Sequence, residues 1–196
     1  MVEAAEAALL HGACSFVALS VPQSVALATM TVATYAWRRL DLEGVSFVRV
    51  EADDAVRIEG HEVCVDGAER WSTRFTIELD GRWRHRVTTV EATEAAGTRR
   101  LRLDDLRGCD VVDIAGNPFT NALVIRAREV PVGGLVEVRA AFVEPPALTV
   151  RPLAQRYRRL AADRWEYADD EFGVFEIAVD ADGVTVDYQR LARRLG

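Results

Sequence analysis

The sequence predicts a mainly β protein: a many-stranded, mostly antiparallel rolled sheet wrapped around a single α-helix. Three observations carry this. Between Val45 and Tyr188, short runs of strand-forming residues recur at roughly 8–12-residue spacing. One helix-start signal, Asn117-Pro118-Phe119-Thr120-Asn121, interrupts them. Helix-period segments do not alternate with the strands, which argues against a parallel α/β sheet. A long series of strands needs an apolar filling, and one central helix is the candidate for it.

The strand segments begin with Val45–Val50, Ala55–Val65, Trp71–Leu79, Trp83–Val90 and Thr98–Leu103. Leu123–Glu129, Leu135–Val143, Ala147–Arg151, Arg156–Leu160, Trp165–Tyr167, Val174–Val179 and Val184–Tyr188 follow. Asp66-Gly67, Asp80-Gly81, Gly133-Gly134 and Asp182-Gly183 supply turns that tolerate positive φ. Asp80-Gly81, between two alternating runs, is the clearest hairpin. Before it, Phe75, Ile77 and Leu79 share one face; after it, Trp83, His85 and Val87 oppose Arg82, Arg84 and Arg86. That Arg stripe reads either as a solvated face paired with Glu78 and Asp80 or as a cationic rim for an anionic or sugar head group. At the break, Asn117 caps and Pro118 suits the first helical position. Only one or two helical turns are specified before Val124 and Ile125 restore strand character. Gln189–Leu195 suits another short helix.

Composition is that of an ordinary globular domain, with 28% charged and 49% hydrophobic residues. All 24 basic residues are Arg, a pattern that codon bias in a GC-rich genome explains. A net charge of −7 disfavours nucleic-acid binding through bulk charge. Residues 1–29 stand apart, with Glu3 and Glu6 as their only charges, and no charge at all occurs from Gly12 to Trp37. The preferred reading makes Met30 the natural start, with 1–29 an upstream extension and 30–196 the domain. The alternative is an N-terminal helix or membrane anchor. Cys14, Cys64 and Cys109 form no disulfide framework, and reduced thiols in a cytoplasmic protein are the simplest reading.

Reaction chemistry is absent from the motifs: there is no phosphate loop, nucleophile elbow, zinc signature or Ca²⁺ loop. His61 and Cys64 form an isolated H-x-x-C whose offset puts them on opposite faces of a strand, so no metal and no cofactor is expected. His85 reads as structural and Cys109 as small and buried. Asp110 and Asp113, three apart, fall on opposite faces if extended.

Several segments resemble a bacterial family of glycolipid-binding proteins. They are Trp37-Arg38-Arg39-Leu40-Asp41, Gly108-Cys109-Asp110 with Val112-Asp113, and Asn117-Pro118-Phe119-Thr120-Asn121 followed by Ile125-Arg126. Val150-Arg151-Pro152-Leu153-Ala154-Gln155-Arg156-Tyr157 and Asp182-Gly183-Val184-Thr185-Val186-Asp187-Tyr188 extend the match over about Tyr35 to Leu195. The arm before Met30 departs from the family pattern, as does Val124 where relatives would carry Pro. The resemblance implies a spiral β-roll around one helix, forming homodimers and similar in architecture to the lipoprotein-localisation factors LolA and LolB. It also implies non-catalytic binding of a glycolipid or other amphipathic ligand; on charge and composition, no nucleic-acid partner and no stable membrane insertion are expected.

For such a ligand, Trp37, Trp71, Trp83, Phe75 and Phe119 are candidates for an apolar wall. Arg38, Arg39, Arg126 and Arg156 are candidates for phosphate or sugar hydroxyls. Asp110, Thr120, Asn121, Gln155 and Tyr157 complete the expected site. Each has a plainer alternative, since aromatics are usually core and strand Arg usually faces water. A helix that fills the roll also leaves less room for a lipid. The competing functional reading is an enzyme acting on a small polar or sugar-containing substrate at an Arg-rich surface near Asp110, Asn121 and Arg156.

Overall fold

A computed structural model describes residues 30–196. The expectations for residues 1–29 lie outside the described residues. The chain first lays down six antiparallel strands as a meander: β1 (Thr31–Arg39), β2 (Glu43–Ala52), β3 (Ala55–Asp66), β4 (Glu69–Asp80), β5 (His85–Glu94) and β6 (Gly97–Leu103). After β7 (Val111–Ile114) come a 3-10 turn (Pro118–Thr120) and α1 (Asn121–Ile125). A second meander follows: β8 (Leu135–Glu144), β9 (Thr149–Arg159), β10 (Arg164–Asp169), β11 (Gly173–Val179), β12 (Thr185–Tyr188) and β13 (Ala192–Arg194).

These strands form one 13-stranded sheet in the order β6-β5-β4-β3-β2-β1-β13-β12-β11-β10-β9-β8-β7. The two meanders join where β1 pairs with β13, Trp37 opposite Arg194 and Arg39 opposite Ala192. Only β7 and β8 run parallel, and the helical segment is their crossover.

Connectivity forces the sheet to curl. Strands β6 and β7 are its two edges, so in a flat sheet they would lie roughly 55–60 Å apart, at ~4.8 Å per strand. Residues 104–110 join them, and that link reaches at most about 30 Å when extended. The observed roll brings β5 alongside β7. Leu103 and Leu106 pack in the same core cluster as Val112 and Phe119.

Residues 118–125 are all buried inside this roll. Asn117 opens the turn, its Oδ1 accepting the Phe119 N–H at 3.0 Å, and Thr120 Oγ1 lies 2.9 Å from the Asn117 carbonyl oxygen. The expected strand over Leu123–Glu129 is not formed: Leu123, Val124 and Ile125 continue α1, and Arg126–Glu129 are not strand. At the centre of the roll no neighbouring strand is there to pair with the backbone, so it satisfies its own N–H and C=O groups helically despite the β-branched side chains.

Other boundaries differ as well. The two strands expected over Ala147–Arg151 and Arg156–Leu160 are replaced by one, β9, with Ala147 and Leu148 in the turn before it and Leu160 past its end. Pro152 is accommodated because β10 pairs only with Gln155–Arg159. The expected helix over Gln189–Leu195 is instead a turn and β13, which the β1 edge recruits. Strands β1 and β7 were not anticipated. In β5 a register shift opposite Glu78 and Leu79 leaves Arg86 as the extra residue. Inward positions beyond it are therefore Thr88, Val90 and Ala92, not Val87.

Candidate functional site

Reading across the inner face of β1–β4 gives successive rungs. Tyr35, Val48, Gly60 and Phe75 form one, Trp37, Ser46, Glu62 and Thr73 the next, and Arg39, Gly44, Cys64 and Trp71 the third. The first is apolar, apart from the Tyr35 hydroxyl. The second carries Ser46, Glu62 and Thr73, all buried, into the interior. The third opens onto a cavity of about 320 Å³ at the Trp71 end of the roll.

Three groups of residues wall that cavity. Arg39, Asp41, Glu62, Cys64 and Trp71 come from the first meander and the loop after β1; Asp113, Gly116, Asn117 and Asn121 come from β7 and the helical crossover. Phe142, Tyr167, Phe172, Phe175 and Tyr188 supply an aromatic side from the second meander. Those rings pack on one another: Phe175 and Tyr188 meet edge-on at 5.6 Å between centroids, and Phe142 and Phe172 at 5.7 Å.

Arg39 is only 8% exposed, and its guanidinium is held by both carboxylate oxygens of Asp41, at 2.9 and 2.6 Å. It lies flat over Gly116, where a Cβ would come within 2.2 Å of Nη1; Gly116 also has φ +78°, so both space and backbone call for glycine. Glu62 is 2% exposed, and its Oε1 has no hydrogen-bond partner. Burial pushes its carboxyl above the ordinary glutamate value, against the opposing pull of Arg39 and of the Ser46 and Asn117 side chains.

Asp113 is also pushed up, first by burial and further by the charge of Asp169. Hydrogen bonds from Thr120 Oγ1 and Gln155 Nε2, both at 2.6 Å, oppose that rise. From there a buried chain continues: the Tyr157 hydroxyl donates to Asn121 Oδ1 at 3.0 Å, and Asn121 Nδ2 donates to the Pro118 carbonyl at 3.2 Å. Burial raises the phenols of Tyr157, Tyr167 and Tyr188 as well, so they are neutral hydrogen-bonding groups.

Of the residues expected from sequence, Arg39, Trp71 and Asn121 line this cavity. Thr120, Gln155 and Tyr157 form the hydrogen-bonded layer around it. Trp37, Phe75 and Phe119 are core residues; Trp37 donates from Nε1 to the Thr185 carbonyl at 2.9 Å. Trp83 lies past the other end of β4, with the Arg126 guanidinium 4.4 Å above its ring. Arg38, Asp110 and Arg156 are exposed; Asp110 accepts from the Arg139 N–H at 2.8 Å, and Arg156 pairs with Asp170 at 3.1 Å. Asn121 is inside the roll, whereas Arg156 is on its outer surface. In the Arg stripe all three side chains are exposed, and Arg84 pairs with Asp80.

Glu62, Asp41 and the aromatic side were not anticipated. Glu62 did leave a signal, as the one carboxylate in the inward stripe Val56, Ile58, Gly60, Glu62, Cys64. Among the described residues no cluster of His, Cys, Asp and Glu suits a metal ion, and no helix is long and apolar enough to cross a membrane.

Fold and site together define a rolled β-sheet protein with a helix-filled interior and a polar, aromatic-walled cavity at one end. The model of a family described as "Putative glycolipid-binding" matches residues 34–194, and the chain belongs to that family. It is also similar to a DUF1089 family protein of Pseudomonas aeruginosa known from its crystal structure. The two share 27% identity and a TM-score of 0.69, over 76% of this chain and 92% of that one. No protein among those of curated function matches the chain.

Proposed function

We propose that this protein binds a glycolipid or a related amphipathic molecule without transforming it, taking the polar head group into the cavity at the Trp71 end. The observation that carries this reading is the cavity itself, which is lined by carboxyl and amide groups and by aromatic rings, two of them phenols. Hydroxyl-rich ring ligands offer matching polar edges and apolar faces. A volume of about 320 Å³ is small for a ligand pocket and suits a head group, while the helix and core clusters occupy the rest of the roll. Acyl chains would then lie outside, along the half-exposed Phe172 at the mouth.

Titrating the protein with a panel of glycolipids and short alkyl glycosides, by calorimetry and thermal shift, tests the proposal. Saturable binding that Asn121→Ala weakens supports it. A panel without heat or shift counts decisively against it.

A second reading rests on the two buried carboxyls. Glu62 and Asp113 border one cavity and are both held toward their neutral forms, as acid catalysts acting on a sugar-containing substrate are. Release of free sugar from a bound glycoside, abolished by Glu62→Gln, would favour the enzyme.

A further inference from the structure

The head-group reading leaves open which head group, and one atom narrows it. Glu62 Oε1 is buried, borders the cavity and lacks a hydrogen-bond partner. A carboxyl oxygen out of water with nothing donating to it is costly, and such atoms are rare in folded proteins. The nearby cation does not satisfy it: Asp41 engages the Arg39 guanidinium through two hydrogen bonds, and among the described residues no Arg lies within ion-pair distance of Glu62. By formal charge Asp41 matches Arg39, although Glu62 feels Arg39 more strongly than Asp41, and Glu62 and Asp113 are the cavity's further acidic groups.

The same cavity is lined by Trp71, on the first meander with Glu62, and by Phe142, Tyr167, Phe172, Phe175 and Tyr188 from the second. Aromatic faces attract cations and repel anions. Buried carboxyls and aromatic rings around one cavity form the surroundings that hold an ammonium group.

We infer that the cavity selects a head group carrying a primary ammonium beside its hydroxyls, an amino sugar, with Glu62 as the counter-ion. This rests on the head-group proposal above and specifies its ligand. On binding, the ammonium donates to Glu62 Oε1 and supplies the missing partner. Any proton that burial keeps on the empty carboxyl is released to solvent. The second amide hydrogen of each of Asn117 and Asn121 and the Tyr188 hydroxyl remain for the sugar hydroxyls.

The test compares three probes, each below its micelle concentration, by isothermal titration calorimetry. They are octyl β-glucoside, its 2-amino-2-deoxy analogue and its 2-acetamido-2-deoxy analogue. The amino glycoside is expected to bind roughly 10- to 100-fold more tightly than the neutral glucoside, the range a charge-assisted hydrogen bond confers. In Glu62→Gln the ratio of amino to neutral affinity is expected to fall to about 1. The acetamido probe removes the charge from the ligand instead, so the wild-type protein reports even if the variant folds poorly.

Equal affinity for amino and neutral glycosides overturns this inference and leaves the head-group proposal standing. An amino preference that survives in Glu62→Gln overturns the role of Glu62. If no alkyl glycoside binds, the inference and the proposal beneath it fall together.

Discussion

Glu62 and Thr73 face each other across β3 and β4, and each keeps a buried oxygen without a hydrogen-bond partner. On the neighbouring rungs of the same inner face no buried side-chain oxygen or nitrogen lacks a partner. The imbalance is therefore local to the rung that borders the cavity, and it makes Glu62 a group whose removal should raise stability while harming binding.

The sign of the pH effect follows from burial. Glu62 titrates above its ordinary value in the folded chain, so the folded state holds this proton more tightly than the unfolded state. Its contribution is favourable below the ordinary glutamate value of about 4.3 and is lost as pH rises toward the raised folded value. Glu62→Gln is neutral at every pH and escapes that loss. The Tm of Glu62→Gln minus that of the wild type should therefore be near zero at pH 4 and positive at pH 8. Each 1 kcal/mol corresponds to about 2–4 °C for a domain of this size. Thermal melts across that range check it, and a difference that does not vary with pH would show that the group titrates alike in both states.

Thr73 gives a second, simpler expectation. It is fully buried, does not line the cavity, and its Oγ1 is without a partner. Thr73→Val keeps the shape and removes an oxygen that is desolvated for nothing. Stability should rise by about 1 kcal/mol, read from the urea midpoint at constant slope. A loss instead would reveal a hydrogen bond that this hydroxyl makes in solution.

Asn117 joins the helical crossover to the sheet, and its loss should be felt at both ends. Its Oδ1 caps the 3-10 turn, and its Nδ2 donates to Ser46 Oγ at 3.1 Å. Asn117→Ala should cost about 2–3 kcal/mol, the cap accounting for ~1 and the stranded buried partner for the remainder. Asn117→Asp keeps the capping oxygen but not the donor, so chemical denaturation of the two variants separates the contributions.

Much of the architecture was legible locally. Asp80-Gly81 marks its hairpin, and Phe75, Ile77 and Leu79 alternate inward as their sequence says they should. What was hidden depends on partners distant in sequence. The extra residue Arg86 is defined only against Glu78 and Leu79 across the ladder. Val124 and Ile125 are helical because of where they lie, not because of what they are. At the site, Asn121 and Arg39 stood within motifs that could be read, but the adjacent Arg38 and Arg39 point to opposite sides of β1, and only the strand's pairing tells which is inside. Tyr167, Phe175 and Tyr188 converge from three strands, and no spacing in the chain records that.

Cys64 reports on the cavity without a ligand of known identity. Burial, with the adjacent Glu62 contributing, pushes its thiol up to about 11, while Cys109 is half-buried in the loop before β7. Alkylation requires the thiolate. At pH 8, iodoacetamide should therefore modify Cys109 well before Cys64, as peptide mass spectrometry would show. An occupied cavity should slow Cys64 further and leave Cys109 unchanged. Fast labelling of Cys64 in the free protein would mean that the cavity end opens more widely than its packing indicates.

Gly60 tests whether the roll is as tightly wound as its core implies. It sits directly opposite Phe75, and a Cβ at Gly60 would fall 1.9 Å from the Phe75 ring. The ring lies over the glycine backbone as part of the central core cluster, and the main chain on either side is ladder-paired, so neither side can yield cheaply. Gly60→Ala should cost about 1–3 kcal/mol from overpacking, and Phe75→Leu alone about 1–2 kcal/mol from lost contact. Combined, they should cost distinctly less than the sum, because the smaller side chain vacates the space that the new methyl needs. Denaturant unfolding of the four proteins in the cycle measures this coupling. Strict additivity would place the ring elsewhere and remove this close β3–β4 packing.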